Sequence, residues 1–481
     1  MTTFQIGESK VRPGVYVRTT NMGLPEAGSV PLGTVAAIIR SNWGPMATVQ
    51  TIAALENVQG TYGPGGAGGT VAVAEEAFRG GCSLVRAVRL GGGAPAKATA
   101  RLKDTTAVTP LDAVTVAAKY EGIRANNFKL TVRDSLTDAT LRELLVYEAT
   151  TLLQTIPFTK GATGDGEPAA LVAAVAALGS PWVTATKLVD GTKLLVAVAN
   201  SPLAAGVDPV PDGAAYIAAM TALEGEIWDV LATDSVETTI QASLQSYIDR
   251  VRDAGKLAIL VLSEPTSVAF ATRCADAKAF NDPAIVYVVN GFVGIDGVTR
   301  EGHLAAARVA GMIAGAAVTE SLTHSVVTQA TGLVGGLTNT DIETAIKAGC
   351  LVFTVNSAGQ VQVEYGINTL VTLSADQDAG WRKIRRVRTR DNLIARIDAT
   401  VEPLIGKVNN SPDGRATIVA AAQGVINGMV RMGALLAGTF KDDLANLPVG
   451  DSAWFIASVD DLDAVEKSYF TFGFRFAPAA A

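Results

Sequence analysis

The chain has 481 residues, of which 48% are hydrophobic and 18% are charged, a composition that excludes a disordered polymer and a single small module. Lysine and arginine number 39 against 46 aspartate and glutamate, a net charge of −7, so the chain lacks the basic field that non-specific nucleic-acid binding needs. Three widely spaced cysteines, Cys82, Cys274 and Cys350, fit neither a disulfide framework nor a zinc site.

Neither a signal peptide nor a membrane span is expected. Residues 1–10 lack a basic start followed by an apolar run, which predicts synthesis in the cytoplasm. The longest uncharged stretch, residues 168–186, is about long enough to cross a bilayer. Because Gly179 and Pro181 interrupt it, a helix followed by a turn is the preferred interpretation.

The first quarter of the chain predicts an extended arm followed by alternating strands and helices. Residues 33–39 and 83–90 predict strands, and residues 51–58 and 70–78 predict helices. The residues assigned to the N-terminal arm are Val11, Pro13, Gly14, Val15, Tyr16 and Val17.

The middle of the chain changes character twice. Segments rich in threonine and valine, such as 113–118 and 128–133, predict an inserted β-rich domain. Further on, short apolar strands alternate with helices of about 15 residues, which predicts a sheet covered by helices on both faces. The predicted strands are 227–231, 256–262 and 284–289, and the predicted helices are 237–254, 266–280 and 303–317.

The last hundred residues predict a basic strand over 381–390, a helix capped by Asp391, further helices over 414–436 and a terminal strand. The fold class is therefore α/β with α+β parts, and the chain is multidomain. The predicted units are an N-terminal arm (1–20), the first part of a central α/β domain (21–93), an inserted β-rich domain (94–206), the second part of the central domain (207–380), an α+β C-terminal domain (381–465) and a C-terminal strand arm (466–481).

No pattern for catalysis, a cofactor or a metal stands out. Residues 63–68 match G-x-G-x-x-G, but the segment before them predicts a helix rather than the strand that a dinucleotide site needs. His303 and His324 lack partners at metal-ligand spacing. Since neither a G-x-S-x-G elbow nor a phosphate loop occurs, we expect no catalytic residue, no cofactor and no metal.

A basic cluster is the first of two candidate binding features. Residues 381–390 hold six cations in ten positions of an acidic protein. They favour a face directed at an acidic partner surface; a solvated strand edge and a nucleic-acid contact are the alternatives. With two lysines further along the chain, the candidate contact residues are Arg382, Lys383, Arg385, Arg386, Arg388, Lys407 and Lys441.

The C-terminal segment is the second candidate. Alternation places its phenylalanines on one face of a strand, and a free strand of this kind would template aggregation. It must therefore be paired, either within its own sheet or in the sheet of a neighbouring subunit, and the N-terminal arm is open to the same interpretation. Two extended termini favour a polymer-forming subunit over a monomeric enzyme. The residues assigned to the C-terminal arm are Tyr469, Phe470, Phe472, Phe474 and Phe476.

A series of short motifs runs along nearly the whole chain. They are PGVYV (13–17), NWGP (42–45), AFRGG (77–81), YEGIRANN (120–127), GMIAG (311–315), GINTL (366–370), RDNLI (390–394) and GALL (433–436). In this order they resemble the bacteriophage contractile tail sheath protein family, which also includes the sheaths of R-type bacteriocins and related contractile injection systems. Ala125 stands where that family leads us to expect glycine.

The resemblance implies a structural subunit, not an enzyme. Such subunits assemble as stacked hexameric rings around an inner tail tube protein, joined by arms that add strands to neighbours, and they contract to drive the tube through a cell envelope. The inserted domain would face outward and the C-terminal domain would face the tube, with baseplate and tail terminator proteins as further partners.

The resemblance also places the protein in a virion tail or a similar contractile particle, with neither direct nucleic-acid binding nor membrane insertion. Another tail or baseplate component, and an α/β enzyme with a β insertion, are the alternatives.

Overall fold

The computed structural model describes residues 33–106, 108–161, 166–188, 193–375 and 377–474. All six N-terminal arm residues and Phe476 lie outside this part of the chain. The chain forms two compact units, one within Leu32–Val387 and the other within Arg388–Ala481.

The described strands are numbered in chain order. They are β1 (Thr34–Ile39), β2 (Val49–Ile52), β3 (Leu84–Arg89), β4 (Thr99–Lys103), β5 (Asp112–Ala118), β6 (Phe128–Asp134), β7 (Leu141–Glu148), β8 (Thr151–Thr159), β9 (Val183–Lys187), β10 (Val198–Pro202), β11 (Val230–Ala232), β12 (Ile259–Ser263), β13 (Ile285–Val288), β14 (Gly291–Gly294), β15 (Thr299–Arg300), β16 (Ala330–Val334), β17 (Cys350–Leu351), β18 (Phe353–Val355), β19 (Val361–Val363), β20 (Leu435–Asp442) and β21 (Phe455–Asp461).

The described helices are numbered in the same way. They are α1 (Leu55–Tyr62), α2 (Ala72–Gly80), α3 (Gly166–Ala177), α4 (Gly213–Glu224), α5 (Thr238–Asp253), α6 (Phe270–Phe280), α7 (His303–Gly315), α8 (Asn339–Lys347), α9 (Ile384–Val401) and α10 (Pro412–Arg431).

A seven-stranded sheet organises the larger unit, in the order β17-β13-β12-β11-β1-β3-β2. All neighbouring strands run parallel except β2, which is antiparallel to β3. Alternate residues of each strand enter opposite cores: Val35 and Ala37 pack with α2 and α7, whereas Ala36 and Ile38 pack with α4 and α5. Burial on both faces explains why β1 is a continuous apolar run.

The helices α2 and α7 approach each other through small residues. A Cβ atom added to Gly311 would lie 2.0 Å from the carbonyl oxygen of Ala77, and one added to Gly80 would lie 2.4 Å from that of Arg308. Buried Glu76 of α2 pairs with Arg308 of α7 at 2.5 Å and with Arg300 at 2.6 Å. Charge pairing and close backbone contact together fix this helix pair.

The inserted segment forms two antiparallel sheets, β4-β5-β9 and β10-β6-β7-β8. Together with α3 they share a separate apolar core. Smaller pieces complete the larger unit: the three-stranded sheet β15-β14-β16 and the hairpin β18-β19.

Buried polar and aromatic contacts fasten the inserted sheets to the central domain. The guanidinium of Arg89, at the end of β3, donates to the carbonyl oxygens of Ser41, Gly44 and Glu121 at 2.9, 2.6 and 3.1 Å. Trp43 packs against Phe128 at a ring-centroid distance of 5.4 Å. Because an unpaired buried donor or acceptor is unfavourable, this joint favours one arrangement of the two domains.

Much of the predicted organisation is observed, and the fold class of a multidomain mixed α/β protein is confirmed. The helix predicted over 51–58 is wrong in its first half, because Val49–Ile52 pairs with β3 and the helix begins only at Leu55. Within the described residues no helix is long and apolar enough to cross a membrane.

The predictions for the basic run and for the end of the helices after it are wrong. The basic strand over 381–390 is a short 3₁₀ turn leading into helix α9, which begins at Ile384, so Asp391 lies inside a helix rather than at its N-cap. The helices predicted up to 436 end at Arg431, because Gly433 takes a φ of 73° and β20 follows. Residues 469–474 lie outside any strand of the single chain, so a strand formed with a neighbouring subunit stays a prediction.

Replacing Gly311 with alanine should lower the free energy of unfolding by about 2–3 kcal/mol, because the new methyl group overlaps the backbone of Ala77. The matched control is Gly60→Ala in α1, where an added Cβ meets nothing within 4 Å and helix propensity should raise stability by up to about 1 kcal/mol. Urea unfolding of both variants checks the opposite signs. Equal stability of the two would contradict the proposed helix contact.

Candidate assembly surface

The hairpin β20–β21 is the most exposed regular element of the smaller unit. The two strands pair antiparallel from Leu435↔Asp461 to Asp442↔Phe455. The side chain of Gln423, on α10, donates to the Gly438 carbonyl at 3.0 Å and accepts from the Phe440 amide at 2.8 Å. Helix α10 therefore holds β20 and leaves β21 on the outside.

The outer edge of β21 presents backbone groups for pairing. The Asp443 amide donates to the Trp454 carbonyl at 2.9 Å, and antiparallel ladders alternate between bonded and non-bonded pairs. The amides of Phe455, Ala457 and Val459 therefore point away from β20. Among the described residues no further strand pairs with β21, so this edge can accept another chain.

Apolar side chains surround this edge. Ile456 is 46% exposed and Trp454 is 43% exposed, and the turn between the strands exposes Leu444, Leu447 and Val449. An exposed apolar surface of this kind is typical of a protein–protein interface.

The C-terminal segment carries a second exposed apolar surface. Tyr469, Phe470, Phe472 and Phe474 are 77–91% exposed and lie in no strand. The two rings of Phe470 and Phe472 stack at 6.4 Å. Pairing of these residues within their own sheet, one of the two interpretations of the sequence, is not observed in the described chain.

The basic candidates differ in their exposure and in their contacts. Arg385 is 5% exposed and donates to the Thr319 carbonyl at 2.9 Å, while Arg386 pairs with Asp378 at 3.4 Å. Lys407 and Lys441 are exposed. Arg382, Lys383 and Arg388 are half-buried. The segment is therefore not a uniform basic face, and helical winding separates cations that the sequence places side by side.

The crevice where α/β enzymes bind ligands holds a side chain of the protein itself. The strand order reverses between β1 and β11, and ligands bind beyond the carboxyl ends of strands at such a point. Here buried Asp234 accepts from Arg40 Nε at 2.5 Å, Tyr216 Oη at 2.7 Å and Thr70 Oγ1 at 3.2 Å. Burial, followed by the nearby Asp234 carboxylate, raises the pKa of Tyr216.

The structure locates the glycine-rich motif and the first of the two histidines. Residues 63–68 form the turn between α1 and α2. His303 is the first residue of α7, where burial lowers its pKa. Within the described chain no three His, Cys, Asp or Glu side chains are grouped to hold a metal ion.

The sequence analysis missed the hairpin edge. Its signals are the alternation in Thr439–Phe440–Lys441 and the apolar residues Trp454, Ile456 and Val459. Because helices are expected up to residue 436, neither of these two signals is interpreted as a strand.

Two family models and several known proteins match this chain. The family model "Phage tail sheath protein beta-sandwich domain" matches residues 91–208, and "Phage tail sheath protein central domain" matches residues 210–369. The protein XkdK of the phage-like element PBSX from Bacillus subtilis is 24% identical, over 97% of this chain and 98% of that protein. The tail sheath protein of Clostridium phage phiCD119 is 27% identical, over 33% of this chain and 43% of that protein.

Solved structures show the same fold. The sheath tail protein from Desulfitobacterium hafniense has a TM-score of 0.70 and 23% identity, with 93% of this chain and all of that chain covered. The contracted helical sheath of the anti-feeding prophage has a TM-score of 0.54 and 11% identity, with coverage of 97% and 99%.

The doubly wound central sheet with an inserted pair of antiparallel sheets is thus a fold that this chain shares with solved sheath proteins. The chain belongs to the phage tail sheath family, and its role is that of a structural sheath protein.

Replacing Arg385 with alanine should destabilise the folded chain by about 1–3 kcal/mol, because the half-buried Thr319 carbonyl loses the bond from a buried guanidinium. Lys407→Ala and Lys441→Ala, at exposed positions, should change stability by less than about 0.5 kcal/mol. Thermal unfolding of the three variants checks the division. An Arg385→Ala variant as stable as the unchanged chain would show that the bond to Thr319 contributes little to the folded state.

Proposed function

We propose that this protein polymerises as stacked hexameric rings around an inner tail tube and contracts to drive that tube through the envelope of a target cell. The protein is located in the tail of a virion or of a related contractile particle. It is made in the cytoplasm of the bacterial host. Its partners are copies of itself, the tube protein, and the baseplate and terminator proteins at the two ends of the sheath.

The open edge of β21 carries this proposal. An edge with outward amides and exposed apolar side chains needs a partner strand, and the arms of neighbouring copies supply it by strand addition. Backbone ladders of this kind depend little on side-chain identity. They persist while the folded bodies change their contacts.

Charge supports the N-terminal arm as one of the added strands. Residues 10–18 contain Lys10, Arg12 and Arg18 and no acidic residue. The hairpin and the segment after it carry Asp443, Asp460 and further acidic side chains up to Glu466. Opposite charges on paired strands add stability and select the register.

The C-terminal arm supplies another strand. Its four exposed aromatic residues within 469–474 occupy apolar surface on a neighbouring copy, because exposed rings of this size are unfavourable in water. Residues 1–20 and 466–481 are then the two connectors, and residues 381–465 form the tube-facing domain that receives them.

The rest of the chain is the moving body. Residues 21–93 and 207–380 form the central domain, and residues 94–206 form the outward-facing insertion. Arg89 and Trp43 join them through buried contacts, so the two move as one piece. Contraction is a shift between two packings of such bodies, driven by the difference in their contacts.

No chemical reaction is part of this function. Asp234 occupies the crevice at the strand-order reversal with three hydrogen-bonded partners. The buried Asp234 carboxylate therefore serves to hold the protein's own side chains.

Deleting residues 469–481 should leave the folded body intact and stop sheath formation, because the donated strand is lost. The matched control removes only residues 478–481 and keeps all four phenylalanines. Circular dichroism checks the fold and electron microscopy checks for striated cylinders. Normal sheaths from the longer deletion would show that this arm is not needed for assembly.

Ala457→Pro should block assembly while the isolated subunit keeps its melting temperature, because proline removes an amide that points outward and bonds to no residue of β20. Ala457→Ser, which keeps the amide, is the control and should assemble. Electron microscopy of both variants decides the outcome. Assembly of the proline variant into normal sheaths would show that the β21 edge is not paired there.

Contact with the tube should be weak and sensitive to salt, since surface charge pairs are screened. Lys407→Glu with Lys441→Glu should reduce co-sedimentation of the protein with purified tubes at low salt. The effect should shrink as the salt concentration rises. Unchanged co-sedimentation of the double variant would exclude these lysines from the contact.

A further inference from the structure

The four-stranded sheet of the inserted domain ends in a long strand with an open edge. Strand β8 has nine residues and is the last strand in the order β10-β6-β7-β8. Thr155 and Pro157 are exposed, whereas Ile156 and Phe158 between and after them are buried. Among the described residues no strand pairs with the outer side of β8. An open edge of this length is a template for pairing with another chain.

The composition of β8 makes this edge hazardous. Its sequence, TLLQTIPFT, contains no charged residue, and most of its side chains are β-branched, aromatic or leucine. Leu152 is 48% exposed. Short uncharged segments of strand-forming residues without proline are the signature of edge-to-edge aggregation. Pro157 is the residue of β8 that departs from this signature.

The ladder between β7 and β8 turns the backbone nitrogen of Pro157 outward. Directly after β8, the amide of Lys160 donates to the Thr140 carbonyl at 2.9 Å. Antiparallel ladders alternate between bonded and non-bonded pairs, so the even-numbered residues of β8 before Lys160 bond to β7. Pro157, which lies opposite Glu143 in the register, is therefore at a non-bonded position, and its nitrogen points away from β7.

Proline at this position affects the two sides of β8 differently. Its own sheet loses no hydrogen bond, because the missing amide would have pointed outward. An incoming strand would lose a donor in the middle of the edge and would meet the proline ring there. The inner face of β8 is covered by α3, since Leu171 and Val175 share the apolar core with Ile156 and Phe158.

The opposite edge of the same sheet, strand β10, has the same arrangement. The amide of Leu203 donates to the Phe128 carbonyl at 2.9 Å, so Pro202, one residue earlier, points outward by the same alternation. Pro202 is exposed, and Asn200 with a φ of 54° lies in a bulge that interrupts the edge further. Both edges of this sheet thus carry an outward proline, whereas β21 contains none.

We propose that Pro157 prevents β8 of one copy from pairing with β8 of a second copy. Without it, two such edges would pair antiparallel about a two-fold axis and join two four-stranded sheets into one continuous sheet. The outward prolines therefore confine strand addition to other edges of the chain, and β21 is the edge that they leave open.

One consequence for assembled particles rests on the proposed function, in which the inserted domain faces outward. An open β8 edge would then lie on the outside of each sheath and would attach neighbouring sheaths to one another. The pairing of β8 with β8 is a property of the subunit itself, so it can be measured whether or not sheaths form.

The test replaces Pro157 with valine in the full-length protein, which restores an outward amide. Sedimentation velocity should show a new species of about twice the mass of the unchanged protein, and hydrogen exchange should slow within residues 151–159. Thr155→Val is the matched control, because it adds the same side chain to the same edge and keeps the proline. It should sediment and exchange like the unchanged chain.

A double variant separates the backbone from the side chain. Thr155→Pro combined with Pro157→Val moves the proline to the next outward position of the ladder, and it should sediment like the unchanged chain. Pro157→Thr, which restores the amide with a polar side chain, repeats the test if the valine variant is insoluble. Circular dichroism checks that each variant is folded.

Three results would overturn the proposal: folded Pro157→Val and Pro157→Thr variants that sediment like the unchanged chain, association of Thr155→Val to the same extent, or association without slower exchange within residues 151–159. Electron microscopy adds the particle readout, in which sheaths of Pro157→Val should lie side by side in bundles. A chain that forms no sheaths at all would refute the proposed function, while sedimentation of the subunit would still decide the role of Pro157.

Discussion

Backbone pairing at the outer edge of β21 is the constraint on which the proposed assembly depends. Every strand amide and carbonyl needs a partner in protein or water, and a two-stranded hairpin leaves an edge open. Helix α10 covers the hairpin through Gln423, and Arg415 pairs with Asp442 at 3.4 Å. The hairpin is thus held in place while its edge stays accessible, which is the combination that strand addition requires.

In contrast to the exposed hairpin, the larger unit is organised around a buried sheet. Its sheet is covered on both faces, and buried charges are paired, for example Glu76 with Arg300 and Arg308, and Asp234 with Arg40. Breaking such pairs by removing one partner is strongly destabilising. In the proposed contraction, a body of this kind moves as a whole and conformational change is concentrated at its connections.

The sequence predicted the central domain well because burial on two faces produces long apolar runs, as in β1 and β12, and helices of clear amphipathic pattern, as in α5. The strand prediction failed at the basic run of residues 381–390, where two side-chain patterns compete. The basic run around Arg385 alternates like a strand over a few residues, but arginine favours a helix and Ile384 and Val387 are buried on one face.

The candidate site was only half predictable. The aromatic tail was visible as a pattern with a period of two, but β20 and β21 were not, because they pair through backbone groups and keep most of their side chains in water.

A cryo-electron microscopy map of sheaths assembled from this chain tests the central claim most directly. Density for residues 455–460 should show β21 flanked by backbone from another copy, with outward amides of Phe455, Ala457 and Val459 in ladder bonds. A map in which the arms of each copy fold back onto that same copy, or in which β21 faces solvent throughout the sheath, would contradict strand addition as the link between subunits.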